Sequence, residues 1–438
     1  MDFETGSTRW IAMPIGTLIS KRFPMGTFKK VQLLPKVQMN CLLAFFLIGN
    51  ACGQVQPQAF ETAYFIDVTQ THIPLDGETH ALDVALLDVD GDGDLDAILA
   101  LEWEPNRLYL NDGQGRFTWK KGAFSSEKHD TEHIRVADFD GDGIMDLFFV
   151  AEDDRIHEYY LGNGDGSFRD VSDRILSNSE GNGLDVGDVN GDGLPDIVIG
   201  NSGEQGQNFL WINDPERPGY FVDRTDLLPQ VNDATQSIKL ADLDGDGDLD
   251  MVVGNEIPPN RLLLNDGKSN FKERADLLEL PEPLHNREVL AFDVDGDGDL
   301  DLVFANLTSN GGAWEKNPRT RLLINDGNAN FKDVTDRMPN HRFSTYAAAP
   351  MDFDRDGDLD LLVSAIEIPP FSPMQLHAYA NDGKGNFRDV TQEVIPELTH
   401  GRSWGIAIGD VNGDGLEDVL IGAWGDQVRL LLGKGPQR

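Results

Sequence analysis

The stretch LDVDGDGDLDAILA, Leu87 to Ala100, has aspartate at every second position from Asp88 to Asp96 and then continues into an apolar strand. Carboxylates this close repel one another unless a cation lies between them. The same nine-residue pattern begins again at six further aspartates, which are Asp138, Asp188, Asp242, Asp293, Asp352 and Asp410. The seven starts are 50, 50, 54, 51, 59 and 58 residues apart, a period compatible with one four-stranded propeller blade per repeat.

Each acidic segment has the same neighbours along the chain. An apolar strand such as ALDVALL precedes it, and a second such as DAILAL follows it. A third strand ends in an Asn-Asp-Gly turn, as in RLLLNDGKSNF, and a fourth follows that turn, as in FKDVTD. No segment has the pattern of a long amphipathic helix. The repeat therefore predicts an all-β fold built from units of four strands.

The two ends of the repeat array complement each other. The seventh repeat stops after its third strand, in VRLLLGKGPQR, whereas YFIDVTQ at residues 64–70 precedes the first acidic segment without a third strand of its own. If this N-terminal strand pairs with the last repeat, the ring is closed and leaves no exposed sheet edge. We therefore expect a seven-bladed β-propeller with four-stranded blades over residues 62–435, closed by an N-terminal strand that completes the last blade.

The N-terminal segment has the pattern of a secretory signal. Basic residues precede an apolar core at Leu42–Ile48, which is too short to span a bilayer stably. We interpret residues 1–38 as an extension produced by a start codon assigned too early, residues 39–53 as the signal core and cleavage region, and residues 54–61 as a linker.

Cleavage of this signal is expected after Ala51 or Gly53, which predicts a secreted, periplasmic or cell-surface protein with no transmembrane helix in the mature chain. The alternative is cleavage before Cys52 with lipidation of that cysteine. Cys41 and Cys52 are the only two cysteines of the chain, so the repeats have no disulfide framework.

The charge balance indicates what kind of partner the chain binds. The chain has 36 basic residues against 76 acidic residues, which argues against nucleic acid and anionic membranes as partners and favours cations.

The acidic segments have the ligand types and the turn that Ca²⁺ requires. Position 1 is Asp in all seven copies, position 3 is Asp or Asn, position 5 is Asp, position 6 is Gly and position 9 is Asp. Ca²⁺ takes about six to eight oxygens from carboxylates and backbone carbonyls in a sharply turned loop. Position 7 varies between aspartate and apolar residues, so we expect it to contribute its backbone carbonyl.

Two other kinds of metal site, an EF-hand and a Mg²⁺ site, fit this pattern less well. An EF-hand begins in the same way but needs a Glu at position 12, where these copies have strand residues such as Leu99 and Phe149. Mg²⁺ is disfavoured because it keeps several waters in a near-ideal octahedron. We expect up to seven Ca²⁺ ions, with the weakest sites in the third copy, which has Asn190, and the sixth copy, which has Arg355.

The expected calcium ligands occupy positions 1, 3, 5, 7 and 9 of the successive copies. They are Asp88, Asp90, Asp92, Asp94 and Asp96; Asp138, Asp140, Asp142, Ile144 and Asp146; Asp188, Asn190, Asp192, Leu194 and Asp196; Asp242, Asp244, Asp246, Asp248 and Asp250; Asp293, Asp295, Asp297, Asp299 and Asp301; Asp352, Asp354, Asp356, Asp358 and Asp360; and Asp410, Asn412, Asp414, Leu416 and Asp418.

This combination of metal loop, period and strand pattern resembles the FG-GAP/VCBS repeat family. Its seven-bladed propellers include the integrin α-subunit head and many secreted bacterial proteins, and the resemblance covers roughly residues 62 to 435. It implies a secreted bacterial-type propeller that binds Ca²⁺ between the first two strands of each blade, through the same five loop positions. A difference is that all seven repeats keep the acidic loop, whereas integrins keep only some.

The face opposite the calcium loops is the predicted place for a ligand. Antiparallel strands put the acidic loops and Asn-Asp-Gly turns on one face and the more varied connections on the other, and variable loops on a rigid scaffold commonly carry function. Aromatic and polar residues suited to a glycan or protein ligand are predicted there: Trp103, Arg287, Trp314, Tyr346, Phe371, His400, Arg402, Trp404 and Trp424. The alternative is that Trp103 and Trp424 are packing residues.

Charged residues of the first strands are expected to approach the central channel. They are Arg135, Asp185 and Lys239, three residues before position 1, and Asp83, His133 and Glu288, five residues before it. These side chains form either a charge-paired lining or a catalytic or ligand pocket.

The sequence favours a calcium-binding module for adhesion to glycans or proteins, without assigned catalytic residues. One alternative is a calcium-dependent lyase for acidic polysaccharides, in which His133 with Arg135, or His400 with Arg402, would act as base and neutralise charge. The other alternative is a scaffold without a small ligand.

Overall fold

The structure is a computed structural model, and it describes residues 60–435 except 63, 76, 78, 204–205, 258, 279, 281–283, 308–317, 368–371, 398 and 402. The predicted N-terminal extension, signal segment and most of the linker lie outside the described residues. In the part that is described, helix is confined to single turns at Thr69–His72, Ser172–Arg174, Thr225–Leu227, Thr335–Arg337 and Thr391–Val394. The prediction of an all-β fold is therefore confirmed.

The strands form repeated units, numbered 1 to 7 in chain order. The first strands of these units are Thr79–Leu87, His129–Ala137, Gly181–Gly187, Thr235–Ala241, Asn286–Phe292, Ala348–Met351 and Ser403–Gly409. The second strands are Asp96–Glu104, Asp146–Ala151, Asp196–Asn201, Asp250–Asn255, Asp301–Asn306, Asp360–Val363 and Asp418–Asp426. The third strands are Arg107–Asn111, Glu158–Gly162, Phe209–Asn213, Arg261–Leu264, Arg321–Ile324, His377–Ala380 and Arg429–Gly433.

The remaining strands lie at the edges of the units. Fourth strands follow in units 1 to 6, at Phe117–Trp119, Phe168–Asp170, Phe221–Asp223, Lys272–Glu273, Lys332–Asp333 and Arg388–Asp389. In unit 7, Arg429–Gly433 pairs instead with Phe65–Asp67, which pairs in turn with Phe60–Glu61. A small sheet of Ile366–Glu367, Ser372–Gln375 and His400–Gly401 lies beside unit 6. Within each unit the strands pair antiparallel in chain order.

Neighbouring units contact one another through their first strands. The first strand of each unit contacts the first strand of the next, and Ser403–Gly409 of unit 7 contacts Thr79–Leu87 of unit 1. Thr79–Leu87 also pairs with the second strand of unit 7, where His80 lies opposite Trp424. Residues more than 300 positions apart in the chain are therefore neighbours at the junction of units 7 and 1.

The hydrophobic core lies between adjacent sheets. The second strands are apolar on both faces because each is covered on both sides, and all six residues of Asp146–Ala151 are buried. Phe139 and Phe148 of unit 2 pack in one cluster with Ile197 and Trp211 of unit 3. Burial of these faces holds the units together, and the outermost strands are the ones with exposed residues.

An asparagine at the end of the third strand, or directly after it, links five of the units to the unit before each of them. Asn213 is the last residue of its strand, is fully buried, and donates through Nδ2 to the Phe139 carbonyl of unit 2 at 2.8 Å. The corresponding bond in unit 1 runs from Asn111 to the Val411 carbonyl of unit 7 at 2.7 Å. Asn265, Asn325 and Asn381 make the same contact to units 3, 4 and 5. From the sequence, this asparagine was predicted only as a turn residue.

We expect Asn213→Ala to lower the free energy of unfolding by about 3 kcal/mol, because the buried Phe139 carbonyl loses its donor and a second bond to the Pro195 carbonyl is lost. Urea unfolding followed by tryptophan fluorescence measures the change. Asn163→Ala is the control, since Asn163 is exposed and donates to Ser167 in the turn of unit 2. Equal destabilisation by both variants would contradict the role of Asn213 as a link between units.

Candidate functional site

The acidic loops are held open by hydrogen bonds from their own backbone. Gly91 and Gly93 have φ of 76° and 94°, which turns their N–H groups toward Asp88 Oδ1 at 2.8 Å and Oδ2 at 3.0 Å. The N–H of Asp94 donates to Asp92 Oδ1 at 3.0 Å. The other copies repeat this arrangement, but in the sixth Arg355 occupies the first glycine position at φ 62°.

Carboxylates of the loops converge without enough donors to satisfy them. Asp88, Asp90 and Asp96 each offer an oxygen within 4.8 Å of the other two, and the second, fourth and fifth copies contain similar groups. Position-3 side chains have a buried oxygen with no partner among the described residues in three copies, at Asp90, Asp140 and Asp295. Burial and the charge of the position-5 aspartate raise the pKa of several position-3 carboxyls, those of Asp140, Asp244, Asp295 and Asp354.

The side chain at position 7 faces away from its loop. A Cβ on Gly113 of the Asn-Asp-Gly turn would lie 2.4 Å from Asp94 Oδ2, so the Asp94 carboxylate packs against that turn. The same contact joins Gly267 to Asp248 and Gly327 to Asp299. This placement directs the position-7 side chain to the turn, and the role of its backbone carbonyl as a ligand stays a prediction.

The aspartate at position 9 has a second task. Asp96 is 1% exposed, and its two oxygens accept the N–H groups of Val89 and Asn111 at 3.1 and 2.8 Å. The equivalent bonds occur in all seven copies. Burial raises the pKa of Asp96 to about 6 and that of Asp146 to about 7. Position 9 therefore ties the loop to the third strand and retains one lone pair per oxygen for a cation.

These loops fit a hard cation. Their donors are carboxylate and carbonyl oxygens, and the unpartnered oxygens of Asp90, Asp140 and Asp295 face like charges. The identity of the ion and the five-position ligand set remain predictions, as do the weaker sites of the third and sixth copies.

A second candidate site lies at the strand ends remote from these loops. A cavity of about 350 Å³ is lined by residues of all seven units, and we call it the mouth. Its lining residues are Leu82, Glu102, Glu132, Glu152, Asn182, Gln236, Glu256, His285, Arg287, Leu307, Tyr346, Trp404 and Trp424.

Two repeat positions supply almost all of the mouth. The sixth residue before position 1 lines it in every unit, as Leu82, Glu132, Asn182, Gln236, Arg287, Tyr346 and Trp404. The fourteenth residue after position 1 lines it in five units, as Glu102, Glu152, Glu256, Leu307 and Trp424. The first of these positions carries seven different residue types, whereas position 1 of the acidic loop is always Asp. The backbone of the units is therefore repeated, but the side chains that line the mouth differ from unit to unit.

The mouth has an acidic side and an aromatic side. Carboxylates come from units 1, 2 and 4, and Tyr346, Trp404 and Trp424 come from units 6 and 7. The Tyr346 and Trp404 rings lie 3.6 Å apart between centroids, and Trp424 lies 5.8 Å from Trp404. The Trp424 indole N–H donates to Glu102, which joins the two sides.

Arg287 spans the mouth from unit 5. Its guanidinium donates to Glu132 Oε2 at 2.7 Å, to Asn182 Oδ1 at 2.8 Å and to Gln236. Burial raises the pKa of Glu132 well above its usual range, against the opposing charge of Arg287. Arg287 is therefore a buried tie between units as well as a lining residue.

Of the nine predicted ligand residues, some line the mouth, one does not, and the others are not described or are described only in their backbone. The structure places Arg287, Tyr346, Trp404 and Trp424 in the mouth. The side chain of Trp103 is 46% exposed at φ 57°, and Trp103 is absent from the described lining because its neighbour Glu102 takes the inward position. Trp314, Phe371 and Arg402 lie outside the described residues, and only the backbone of His400 is described, in a strand beside unit 6.

The channel charges form paired contacts. Asp83 Oδ2 lies 3.1 Å from both His133 Nδ1 and Arg135, and Asp185 lies between Arg135 at 3.4 Å and Lys239 at 3.3 Å. Burial lowers the pKa of His133, against the attraction of the Asp83 carboxylate. These contacts form a charge-paired lining, in which His133 and Arg135 share Asp83 as a partner.

The comparison with protein families agrees with this geometry. The family described as FG-GAP-like repeat matches residues 88–149, 148–199, 188–253, 242–304, 293–363 and 368–421. The chain belongs to the FG-GAP-like repeat family. Four of the six FG-GAP-like matches begin at position 1 of an acidic loop, and all six end in a second strand, so every match contains an acidic loop and the strand that follows it.

Curated relatives of this FG-GAP-like chain include cartilage acidic protein 1 from three animals. The Mus musculus protein is 23% identical over 82% of this chain and 60% of its own length. The Xenopus tropicalis protein is 30% identical over 50% of this chain and 33% of its own length. A T-cell immunomodulatory protein homolog of Plasmodium falciparum is 26% identical over 39% of this chain and 29% of its own length. The chain thus spans between 29% and 60% of the length of these relatives.

Solved structures support the fold of the FG-GAP-like chain. BBS1N, crystallised in complex with ARL6DN, aligns with a TM-score of 0.51 at 10% identity, over 81% of this chain and 93% of BBS1N. The shared feature is a fold of the propeller type. Within the residues that the structure describes, no helix has the length and apolarity needed to cross a membrane.

Proposed function

We propose that the seven units form a closed seven-bladed propeller whose acidic loops bind Ca²⁺ and so stabilise a binding module. Closure is supported by the pairing of Phe65–Asp67 with the last strand and by the contact of the first strands of units 7 and 1. Calcium binding is supported by the converging carboxylates and by their unpartnered oxygens. The signal-like segment supports a secreted or cell-surface location for this module.

The mouth is the proposed binding site, and one observation carries this proposal. Two equivalent positions of the repeats converge on one cavity of about 350 Å³ and carry different side chains there. Identical residues would suffice for packing a symmetric ring, so the differences favour recognition of a particular ligand. Tyr346, Trp404 and Trp424 supply aromatic surface beside carboxylates, an arrangement suited to a glycan or to a side chain of a protein partner.

We expect Trp424→Ala to abolish retention of the ligand, because Trp424 is the half-buried aromatic residue that joins the two sides of the mouth. A panel of immobilised glycans, polysaccharides and extracellular proteins is read for both retention and cleavage. Trp103→Ala is the matched control, since Trp103 is one repeat position away, exposed, and directed elsewhere.

Loss of retention in Trp103→Ala and not in Trp424→Ala would move the binding site away from the mouth. Cleavage of an acidic polysaccharide by the wild type would show that the protein is an enzyme and would contradict the proposed binding module. Near-ultraviolet circular dichroism of both variants reports whether the fold is intact.

A further inference from the structure

Three carboxylates of unit 2 converge beside the mouth, and two of them, Glu132 and Glu152, line it. Asp130, Glu132 and Glu152 each offer an oxygen within 4.8 Å of the other two. Asp130 and Glu132 lie two residues apart on His129–Ala137, at the point where the pairing register of this strand shifts between Thr131 and His133. The N–H of Glu152 donates to the Asp130 carbonyl at 3.0 Å, which fixes the third carboxylate beside the first two. The strand pairing of unit 2 therefore builds this triad.

Asp130 supplies an independent indication that the triad binds a cation. Its side chain is 3% exposed, and Oδ2 accepts the N–H of Asp153 at 2.9 Å. Its Oδ1 is buried and has no donor in the described part of the chain. A buried oxygen of a carboxylate is costly when nothing pairs with it. The other two carboxylates have partners, Arg287 for Glu132 and the Ser202 hydroxyl for Glu152 at 2.6 Å.

The charges around the triad indicate the class of ligand. Three carboxylates against the single guanidinium of Arg287 leave a net charge of minus two when all are ionised. The donor atoms are all carboxylate oxygens, which suit Ca²⁺, Mg²⁺ or Mn²⁺ and not the softer ions that nitrogen and sulfur ligands select.

We propose that Asp130, Glu132 and Glu152 form a site for one hard divalent cation at the mouth. This site is distinct from the acidic loops, since it lies at the opposite ends of the strands. The ion pairs with the free oxygen of Asp130 and neutralises the remaining charge of the triad. Three protein side chains leave coordination positions toward the cavity, where water or an oxygen-bearing ligand binds.

The test counts bound ions in the full chain. Equilibrium dialysis against Ca²⁺, and separately against Mn²⁺, is followed by elemental analysis of the protein. Glu152→Gln is expected to bind one ion fewer per chain than the wild type, because it keeps the shape of the side chain and removes one charged ligand. Glu256→Gln is the matched control, a carboxylate of the same cavity outside the triad, and is expected to bind as many ions as the wild type.

The result also separates this site from the loop sites. If the loops bind no ion, the wild type binds one and Glu152→Gln binds none. Equal numbers of ions in the wild type and Glu152→Gln would overturn the proposal. Tryptophan fluorescence also measures the binding of methylammonium. If Glu152→Gln binds methylammonium more weakly than the wild type but binds the same number of metal ions, the triad binds an organic cation and the metal proposal is wrong.

If Glu152→Gln does not fold, a second variant, Asp130→Asn, and a crystal of the wild type provide two further tests. Asp130→Asn is expected to lose the same single ion. Anomalous scattering from a crystal grown with Mn²⁺ is expected to show a peak at about 2.0–2.6 Å from oxygens of the triad. Anomalous peaks confined to the acidic loops would contradict the site at the mouth.

Discussion

Removal of Ca²⁺ with excess EGTA, in the presence of Mg²⁺, is expected to lower the melting temperature by about 10 °C or more. Each acidic loop brings several carboxylates together, and Asp90, Asp140 and Asp295 each have a buried oxygen without a hydrogen-bond partner in the part of the chain that the structure describes. An ion that binds only the folded loop stabilises it by about 2.7 kcal/mol at one hundred times its dissociation constant. Because one fold contains several such loops, the total decrease in melting temperature is expected to be large.

Differential scanning calorimetry measures this shift, and adding Ca²⁺ back is expected to restore the original melting curve. Mg²⁺ is retained throughout so that the loss reports Ca²⁺ specifically. Asp92→Asn, which removes one position-5 ligand, is expected to reduce the part of the stability that depends on Ca²⁺, and Asp173→Asn, at an exposed site outside the loops, is expected to leave it unchanged. An unchanged melting curve in EGTA would overturn the calcium proposal.

The second large effect is expected from Gly422→Ala, at the junction of the last and first units. A Cβ on Gly422 would lie 2.6 Å from the Ala81 carbonyl oxygen of unit 1 and 3.3 Å from the Gly405 N. Both contacts are with backbone, and Ala81 is fully buried, so the strands themselves must move apart. We expect the free energy of unfolding to fall by about 3 kcal/mol.

The equivalent position does not exclude alanine in every unit. Units 1 and 5 carry alanine there, at Ala100 and Ala305, and both are buried. Gly435→Ala is the control, because its Cβ would meet only the Arg355 side chain, at 3.8 Å.

Hydrogen exchange read by mass spectrometry locates the effect of Gly422→Ala. Protection is expected to fall in Thr79–Leu87 and Ser403–Gly409 and to persist in Asp250–Asn255 of unit 4. Wild-type stability of Gly422→Ala, or an equal loss of protection in all units, would contradict a ring that is closed at this junction.

Features confined to one repeat could be predicted from the sequence. The acidic loop, its glycines and its flanking strands lie within about twenty residues of one another, and their spacing alone indicates how the backbone must turn. The aspartate at position 9 was assigned only as a ligand. Its bonds to Val89 and Asn111 depend on how the third strand returns beside the loop.

Contacts between repeats were harder to foresee. The sequence pattern predicts Asn111 as a turn residue. Its side chain nevertheless donates a hydrogen bond to the Val411 carbonyl, which is distant in the chain. The residues of the mouth occupy fixed repeat positions, so counting six residues back and fourteen forward from position 1 would have found them. The predicted site included Trp103 because strand alternation had not been applied to its neighbour Glu102.

The sequence by itself determined the number of repeats, the order of strands within each unit and the place of the acidic loops. These follow from short-range spacing, because backbone turns and strand alternation are local properties. Only the tertiary structure decided that Glu132, Arg287 and Trp404 share one cavity and that Asp130 retains an unpartnered oxygen beside it. Glu132, Arg287 and Trp404 belong to three different units, and they meet only because neighbouring sheets pack face to face and bring the same ends of their first strands together.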